Sequence, residues 1–229
     1  MKIVVLTGAG ISAESGIKTF RDSDGLWEGH DVMEVASPHG WQKNRRLVQE
    51  FYNLRRQQLL EVNPNQAHKA FAELEKKYDV HIITQNVDDL HERAGSTHVL
   101  HLHGELLKVR STTDASYILD WKTDLSDKNL CPKGSILRPH IVWFGEEVPM
   151  LEPAANLVSQ ADALFIVGTS MQVYPAASLV HYASPHIPIY FIDPKPNINK
   201  NSQIKVYPYP ATQGVPIAIK DFLKDNNLF

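Results

Sequence analysis

The chain contains a single cysteine, Cys131. One thiol excludes an intrachain disulfide, falls short of the several sulfurs that a structural zinc site ordinarily uses, and fits a reducing compartment. Long apolar runs are also missing: nowhere do about 18 consecutive apolar residues occur, the length a membrane-crossing helix needs. The opening MKIVVLTGAGIS is broken by glycine after a short apolar stretch with no small-residue cleavage pattern, so it reads as a buried strand rather than a secretory signal. Basic excess is absent too. Lys plus Arg number 23 against 26 Asp plus Glu, and a net charge of -3 gives no electrostatic footprint for broad nucleic-acid binding. There is no internal repeat, no low-complexity linker and no like-charge block long enough to form a tail. What is present is 229 residues, 43% hydrophobic and 21% charged, enough for one large domain with an inserted lobe and a sizeable core. The expectation is a cytoplasmic, globular, monomeric protein with no nucleic-acid or membrane partner.

Three apolar runs share one design: KIVVLTGAG (2–10), VHIITQN (80–86) and ALFIVGTS (163–170) each pass from β-branched into small or polar residues, and IPIYFIDP (187–194) ends similarly. Near-continuous Val/Ile/Leu runs separated by helical patterns describe strands covered on both faces, which predicts an α/β fold with a Rossmann-like, doubly wound parallel sheet. In such sheets ligands sit beyond the carboxyl ends of the strands, where GAGIS, TQNVDD, GTS and DP fall. Two segments break the alternation and read as insertions: a large lobe over about 1–30, 67–104 and 141–229, and a smaller lobe over about 31–66, which is helical, and 105–140, which is mixed and polar. The proline-rich YPYPATQGVP predicts that no helix begins before the closing IAIKDFLKD.

In VVLTGAGISAESG a strand runs into Gly8-Ala9-Gly10-Ile11-Ser12-Ala13, the G-x-G-x-x-G/A pattern in its strand-to-helix setting. Without side chains at Gly8 and Gly10, backbone N–H groups can approach a pyrophosphate, and a helix N-terminus beyond adds partial positive charge. The alternative is a tight turn that binds nothing. The following ESGIKTFRDSDGLW is a polar loop where a hydride-transfer enzyme has a helix, a second strand and an acidic ribose ligand. It is placed to fold over a bound dinucleotide, with Phe20 as apolar cover and Arg21 as a phosphate or carboxylate partner. In TQNVDDLH, Gln85, Asn86 and Asp88 stand at the end of a buried strand within reach of a ligand, or serve as helix caps. VLHLHGE concentrates His101 and His103 on one side of a strand with His98 nearby, a spacing compatible with metal binding, core packing or proton transfer.

GAGISAESGIKTFR, TQNVDDLHERAG, HLHGEL, LRPHIVWFGE and GTSMQVYPAA stand in the order and approximate spacing of the sirtuins, the NAD-dependent protein-lysine deacylases, and the resemblance covers almost the whole chain. It implies NAD as cofactor and acylated-lysine proteins or peptides as partners. Nicotinamide leaves the ribose, the acyl oxygen of the modified lysine attacks there, and a ribose hydroxyl then attacks in turn, giving O-acyl-ADP-ribose and free lysine. On this resemblance His103, directly before Gly104, is the general base, a role that suits a side chain titrating near neutrality. Asn86 and Asp88 hold the nicotinamide ribose and a water, with Gln85 against the same ribose. Gly8, Ala9, Gly10, Ile11, Ser12 and Glu14 form the first cofactor-binding segment, and Thr19, Phe20, Arg21 and Trp27 the second. Gly168, Thr169 and Ser170 meet the nicotinamide-side ribose and phosphates, Asp193, Pro194 and Lys195 lie near the adenosine, and Ala211 is a further cofactor contact. The substrate peptide adds as a strand beside VWFGE and GTSMQV, with Val142 and Phe144 around the lysine stem and Gly145 and Glu146 alongside. Competing readings share the NAD pocket: an ADP-ribosyltransferase or NAD glycohydrolase, or a non-catalytic NAD-responsive module.

Two departures from the common family pattern are informative. Most sirtuins carry two Cys-x-x-Cys pairs; here the first reads Ser111 and Asp114 and only Cys131 survives of the second, so no structural zinc is expected and packing of Tyr117, Leu119 and Trp121 is to hold the small lobe. In QEFYNLRR, Tyr52 and Arg55 share a helical face with Val48 and Leu59. By itself that arginine reads as a snorkelling side chain. Tyr-x-x-Arg here resembles the class III sirtuins, in which the pair grips the carboxylate of succinyl- or malonyl-lysine, and Ala36 matches the small residue that leaves room for it. A guanidinium can receive a carboxylate through two parallel bonds, and a phenol adds a third.

Overall fold

The structure, a computed structural model, describes residues 1–18, 26–27, 29–198 and 203–226. In chain order the elements are β1 (Lys2–Thr7), two single turns of 3-10 helix (Ala9–Ile11 and Ala13–Ser15), β2 (Leu26–Trp27), β3 (His30–Asp31), α1 (Val32–Val35), α2 (Pro38–Lys43), α3 (Arg45–Glu61) and α4 (Gln66–Glu75). There follow β4 (Asp79–Thr84), α5 (Leu90–Ala94), β5 (Val99–His101), β6 (Gly104–Ser111), β7 (Ile118–Asp120), β8 (Leu137–Ile141) and α6 (Leu151–Ser159). The chain closes with β9 (Ala163–Val167), a 3-10 helix (Ala176–Tyr182), β10 (Ile189–Ile192), β11 (Ile204–Tyr207) and α7 (Ala211–Asp225).

Six strands form one sheet in the order β11-β10-β9-β1-β4-β5, every neighbouring pair parallel. Because side chains alternate across a strand, each apolar run feeds two layers. Ile3, Val5, Ile82, Phe165 and Val167 pack beneath Phe71 of α4 and Val215 and Phe222 of α7. Val4, Leu6, Ile83, Leu164 and Ile166 pack against Ala154 and Val158 of α6 and Leu179. This double cover accounts for runs without polar alternation. From β1 the chain departs to β4 on one side and later returns to β9 on the other, so the order reverses between β1 and β9, and the crevice at such a switch point is where ligands bind.

The insertions supply α1 to α3 and an antiparallel three-stranded sheet, β7-β6-β8. Their shared core is aromatic: Trp41, Phe51, Tyr52 and Trp143 pack with Val48, Leu59 and Leu106. Two local expectations need correction. Among the described residues the glycine turn is followed by two 3-10 turns in place of the expected α-helix. Conversely, α7 begins at Ala211 and carries Pro216 inside it. Burial of Ala211, Gly214, Val215, Ala218 and Phe222 against the sheet outweighs the backbone bond that Pro216 removes.

Candidate active site

A cleft of about 670 Å³ opens at the switch point between the sheet and the inserted elements, within the size range of small-molecule and cofactor sites. Gly8, Ala9, Gly10, Ser12, Glu14, Gln85, Asn86, Asp88, His103, Gly168, Thr169, Ser170, Asp193, Pro194 and Lys195 line it from the sheet side. Trp27, Ala36, Tyr52, Arg55, Val142, Phe144 and Glu146 line the other. Three expected residues do not line it. Ile11 is fully buried in the core, Gly145 sits at an exposed turn, and Ala211 packs at the start of α7. Thr19, Phe20 and Arg21, and with them the expected lid, lie outside the described residues.

The glycine turn does not present its N–H groups to the cleft. The N–H groups of Gly8 and Gly10 donate to the carbonyls of Val167 and Gly168, at 3.0 and 2.8 Å, and are not available to a phosphate. Glycine is needed because main chain meets main chain: a Cβ on Gly10 would lie 2.6 Å from Gly168 Cα. The result is a cleft floor without side chains, ringed by the hydroxyls and amides of Ser12, Gln85, Asn86, Thr169 and Ser170. That donor set and open floor fit a large polyhydroxylated ligand such as a dinucleotide.

Beside the floor lies a buried polar knot. Ser12 Oγ donates to Asp88 Oδ2 at 3.0 Å, accepts from Asn86 Nδ2 at 3.1 Å and meets His68 Nε2 at 3.4 Å. The backbone N–H of Asn65 can only donate, and it points at His68 Nδ1. The neutral ring therefore carries its proton on Nε2 and donates it to Ser12. Burial drives His68 down to about 4, so this tautomer holds at neutral pH. Burial also raises Asp88, more than its bonds from Ser12 and Leu90 and the nearby His101 lower it. His68 was not singled out in the sequence, although NPNQAH carried a signal: Asn65 and His68 form a reciprocal capping box at the start of α4.

His98, His101 and His103 separate cleanly. His98 meets Glu75 at 3.2 Å, away from the cleft lining. His101 stands between two acceptors, the Asn86 carbonyl at 3.1 Å from Nδ1 and Glu92 Oε1 at 2.7 Å from Nε2. Since a carbonyl and a carboxylate both only accept, the bonded ring is an imidazolium. Burial pulls His101 down, but Glu92 and Glu105 outweigh it and the net shift is upward. His103 donates from Nδ1 to the Gln85 carbonyl at 2.9 Å, which leaves Nε2 as the proton acceptor of the neutral ring. Burial holds His103 below its usual value, only partly opposed by that bond. Gly104 fixes the turn that follows: its φ is +80° and an added Cβ would lie 2.0 Å from the His140 carbonyl oxygen, so only glycine fits.

The opposite wall is aromatic and cationic. Arg55, 8% exposed, lays its guanidinium 4.6 Å from the Trp27 ring centre and 5.8 Å from that of Phe51. One turn earlier, Tyr52 is fully buried and accepts the indole N–H of Trp143 at 3.0 Å. Glu146 is less available than expected. Its carboxylate accepts from Arg138 at 2.6 Å, from the Trp143 backbone N–H at 2.8 Å and from Arg110 at 3.3 Å, which fixes the end of β8 and occupies the group.

Where the cysteine pairs of the family would stand, Ser111 Oγ donates to Cys131 Sγ at 3.4 Å, Thr113 to Ser135 at 2.7 Å, and Lys133 pairs with Asp114 at 2.9 Å. Beneath them Val109, Leu125, Cys131 and Leu137 form a small core flanked by Tyr117, Leu119 and Trp121. Helix α3 clasps this module with polar side chains: Asn53 bonds both the N–H and the carbonyl of Leu125, and Arg56 bonds the carbonyls of Leu106 and Thr123.

Comparison with known proteins agrees with this geometry. The model of the Sir2 family matches residues 8–175. An NAD-dependent protein deacylase of Helicobacter pylori is 66% identical over 193 residues, 84% of this chain and 84% of that protein. The structure of a Sir2 homologue in complex with NAD superposes with a TM-score of 0.84 at 39% identity, over 98% of this chain and 90% of the other. A Sir2 protein bound to an acetylated peptide gives 0.74 at 29% identity, over 99% and 94%. With the Rossmann-like sheet, the switch-point cleft and the match over most of its length, the chain belongs to the Sir2 family.

Proposed function

We propose that this chain is an NAD-dependent protein-lysine deacylase that removes succinyl and malonyl as well as acetyl groups, its two lobes meeting at the cleft as one catalytic domain. The observation that carries the activity is a neutral imidazole, His103, whose Nδ1 is committed to Gln85 and whose Nε2 is left to take a proton, in a cleft lined also by Asn86 and Asp88. NAD bound there would supply an electrophilic ribose carbon and nicotinamide as leaving group. His103 Nε2 receives the proton of a ribose hydroxyl, which a base held neutral by burial does at physiological pH. Asn86 and Asp88 orient the ribose and a water, and the Ser12 knot keeps both side chains in one rotamer.

The acyl range rests on the small-lobe wall. Ala36 leaves space, and Arg55 and Tyr52 line the same pocket one helical turn apart. A buried, charge-assisted bond is worth about 1.5 to 3 kcal/mol, which sets one to two decades of selectivity. Matched acetyl-, malonyl- and succinyl-lysine peptides with NAD test the reading, with O-acyl-ADP-ribose as the product that separates deacylation from glycohydrolysis. Arg55→Met is expected to lower desuccinylation by about 10- to 100-fold relative to deacetylation. Equal loss on both would make Arg55 structural. The small lobe is read as zinc-free, supported by the Ser111–Cys131 and Asp114–Lys133 contacts. One tightly bound zinc per purified chain refutes that part.

A further inference from the structure

In the small-lobe wall the indole of Trp143 is buried against the phenol of Tyr52. A phenol oxygen offers one proton and two lone pairs. The indole N–H of Trp143 can only donate, and at 3.0 Å it occupies one side of the Tyr52 oxygen. The hydroxyl proton is thereby turned to the other side. Without that N–H the hydroxyl is free to rotate and to face an incoming ligand with a lone pair, which repels a carboxylate.

The indole is itself held. Trp143 is 2% exposed, and its backbone N–H donates to Glu146 Oε2 at 2.8 Å. Its ring lies under the Arg138 guanidinium at 3.4 Å and beside Trp41 at 5.6 Å between ring centres. Arg138 is anchored in turn by both Glu146 oxygens, at 2.6 and 3.1 Å, and by the Ile141 carbonyl at 2.9 Å. A cation over the ring draws electron density from the indole and strengthens its N–H as a donor.

We infer that Trp143 is a positioning residue for acyl selectivity: its indole N–H, locked by Arg138 and Glu146, aims the Tyr52 hydroxyl proton at an acyl group that ends in a carboxylate. This rests on the acidic-acyl reading of Tyr52 and Arg55. Burial pushes the Tyr52 phenol well above its usual range, against the pull of Trp143, Arg55 and Arg138, so the proton is present at any working pH. The gain is preorganisation: the donor is oriented before the ligand arrives, and no hydroxyl rotation has to be frozen on binding.

The test is a double-mutant cycle read as the ratio of desuccinylation to deacetylation kcat/KM, on native protein, Trp143→Phe, Tyr52→Phe and the double variant, with matched peptides and NAD. The ratio cancels any general loss of folded enzyme. Trp143→Phe keeps an aromatic ring and removes the N–H, and should lower the ratio by about 3- to 10-fold, chiefly through KM for the succinyl peptide. Tyr52→Phe should lower it at least as far, and the double variant no further than Tyr52→Phe alone, because the indole acts only through that hydroxyl. An equal drop from Trp143→Phe in both backgrounds, or no drop in the native one, overturns the proposal while leaving the acidic-acyl reading standing. Native protein inactive on succinyl peptides overturns both. Should Trp143→Phe not fold, Arg138→Gln leaves both rings in place and is to lower the same ratio; an unchanged ratio there counts against the proposal equally.

Discussion

Along the sheet side of the cleft the buried polar groups are short and their protons are assigned by fixed partners: Ser12, Asn86, Asp88 and His68 share one hydroxyl, and His103 is held to one tautomer by a carbonyl. Along the inserted side they are larger: Arg55 lies over Trp27 in the lining, and behind it Arg138 lies over Trp143, paired with Glu146. Guanidinium does not lose its charge inside a protein, whereas burial moves imidazole and carboxyl values across the working range. One wall can therefore exchange a proton, and the other offers, through Arg55, a fixed positive charge. On the proposed function, chemistry and selectivity fall to different lobes.

That division can be broken most directly at His103. His103→Ala should lower kcat/KM on every acyl peptide by about 100- to 10,000-fold, the usual contribution of a positioned base, and leave the succinyl-to-acetyl ratio as it was. A changed ratio would show that the base also selects. Next in size, Ser12→Ala leaves His68 Nε2–H and Asn86 Nδ2–H without their acceptor and Asp88 Oδ2 without its Ser12 donor, only the Leu90 N–H remaining on Oδ1. It should destabilise the protein by about 1 to 3 kcal/mol for the unsatisfied groups, seen in urea unfolding with an unchanged m-value. Asn53→Ala, which frees the backbone of Leu125 in the small lobe, should cost a similar or smaller amount, about 1 kcal/mol per lost bond. If it fails to lower stability, the clasp from α3 does not hold that module.

The pH dependence sharpens the same contrast. His103 must be neutral to accept a proton, and its value is held below the ordinary 6.5, so the acid limb of kcat/KM should lie below pH 6.5. His101 is shifted the other way. Its bond to Glu92 is fully present below the unfolded-state value and is lost as pH rises through the higher folded value. Stability should fall over that window above pH 6.5, and Glu92→Gln should flatten the fall. Smallest of all is Lys133→Ala: its pair with Asp114 is at the surface, and the unfolding midpoint should not move.

The parallel sheet was legible because strands buried on both faces must be apolar throughout, and four runs of that kind, each ending in small or polar residues, put the cleft at their carboxyl ends. His103, Asn86 and Asp88 were legible through motifs that sit whole in one segment. The partners that hold them were not. His68 meets Ser12 across 56 residues and Trp143 meets Tyr52 across 91, and no local pattern encodes such pairings. The partners of Glu146 were not legible either: Arg138 stands only eight residues before it and Arg110 thirty-six, but only the pairing of β6 with β8 brings both guanidinium groups onto its carboxylate. Where a helix is expected after Gly10 there are 3-10 turns, and the Gly8 and Gly10 N–H groups are tied to Val167 and Gly168 at the end of β9.

The bare junction of Gly8 and Gly10 with Gly168 has a practical corollary for inhibition. A compound seated on that floor meets main chain at both glycines, and any larger residue installed at Gly8 or Gly10 strikes the chain at Gly168, within 2.8 or 2.6 Å. Drug resistance by point substitution at these glycines would therefore damage the enzyme first.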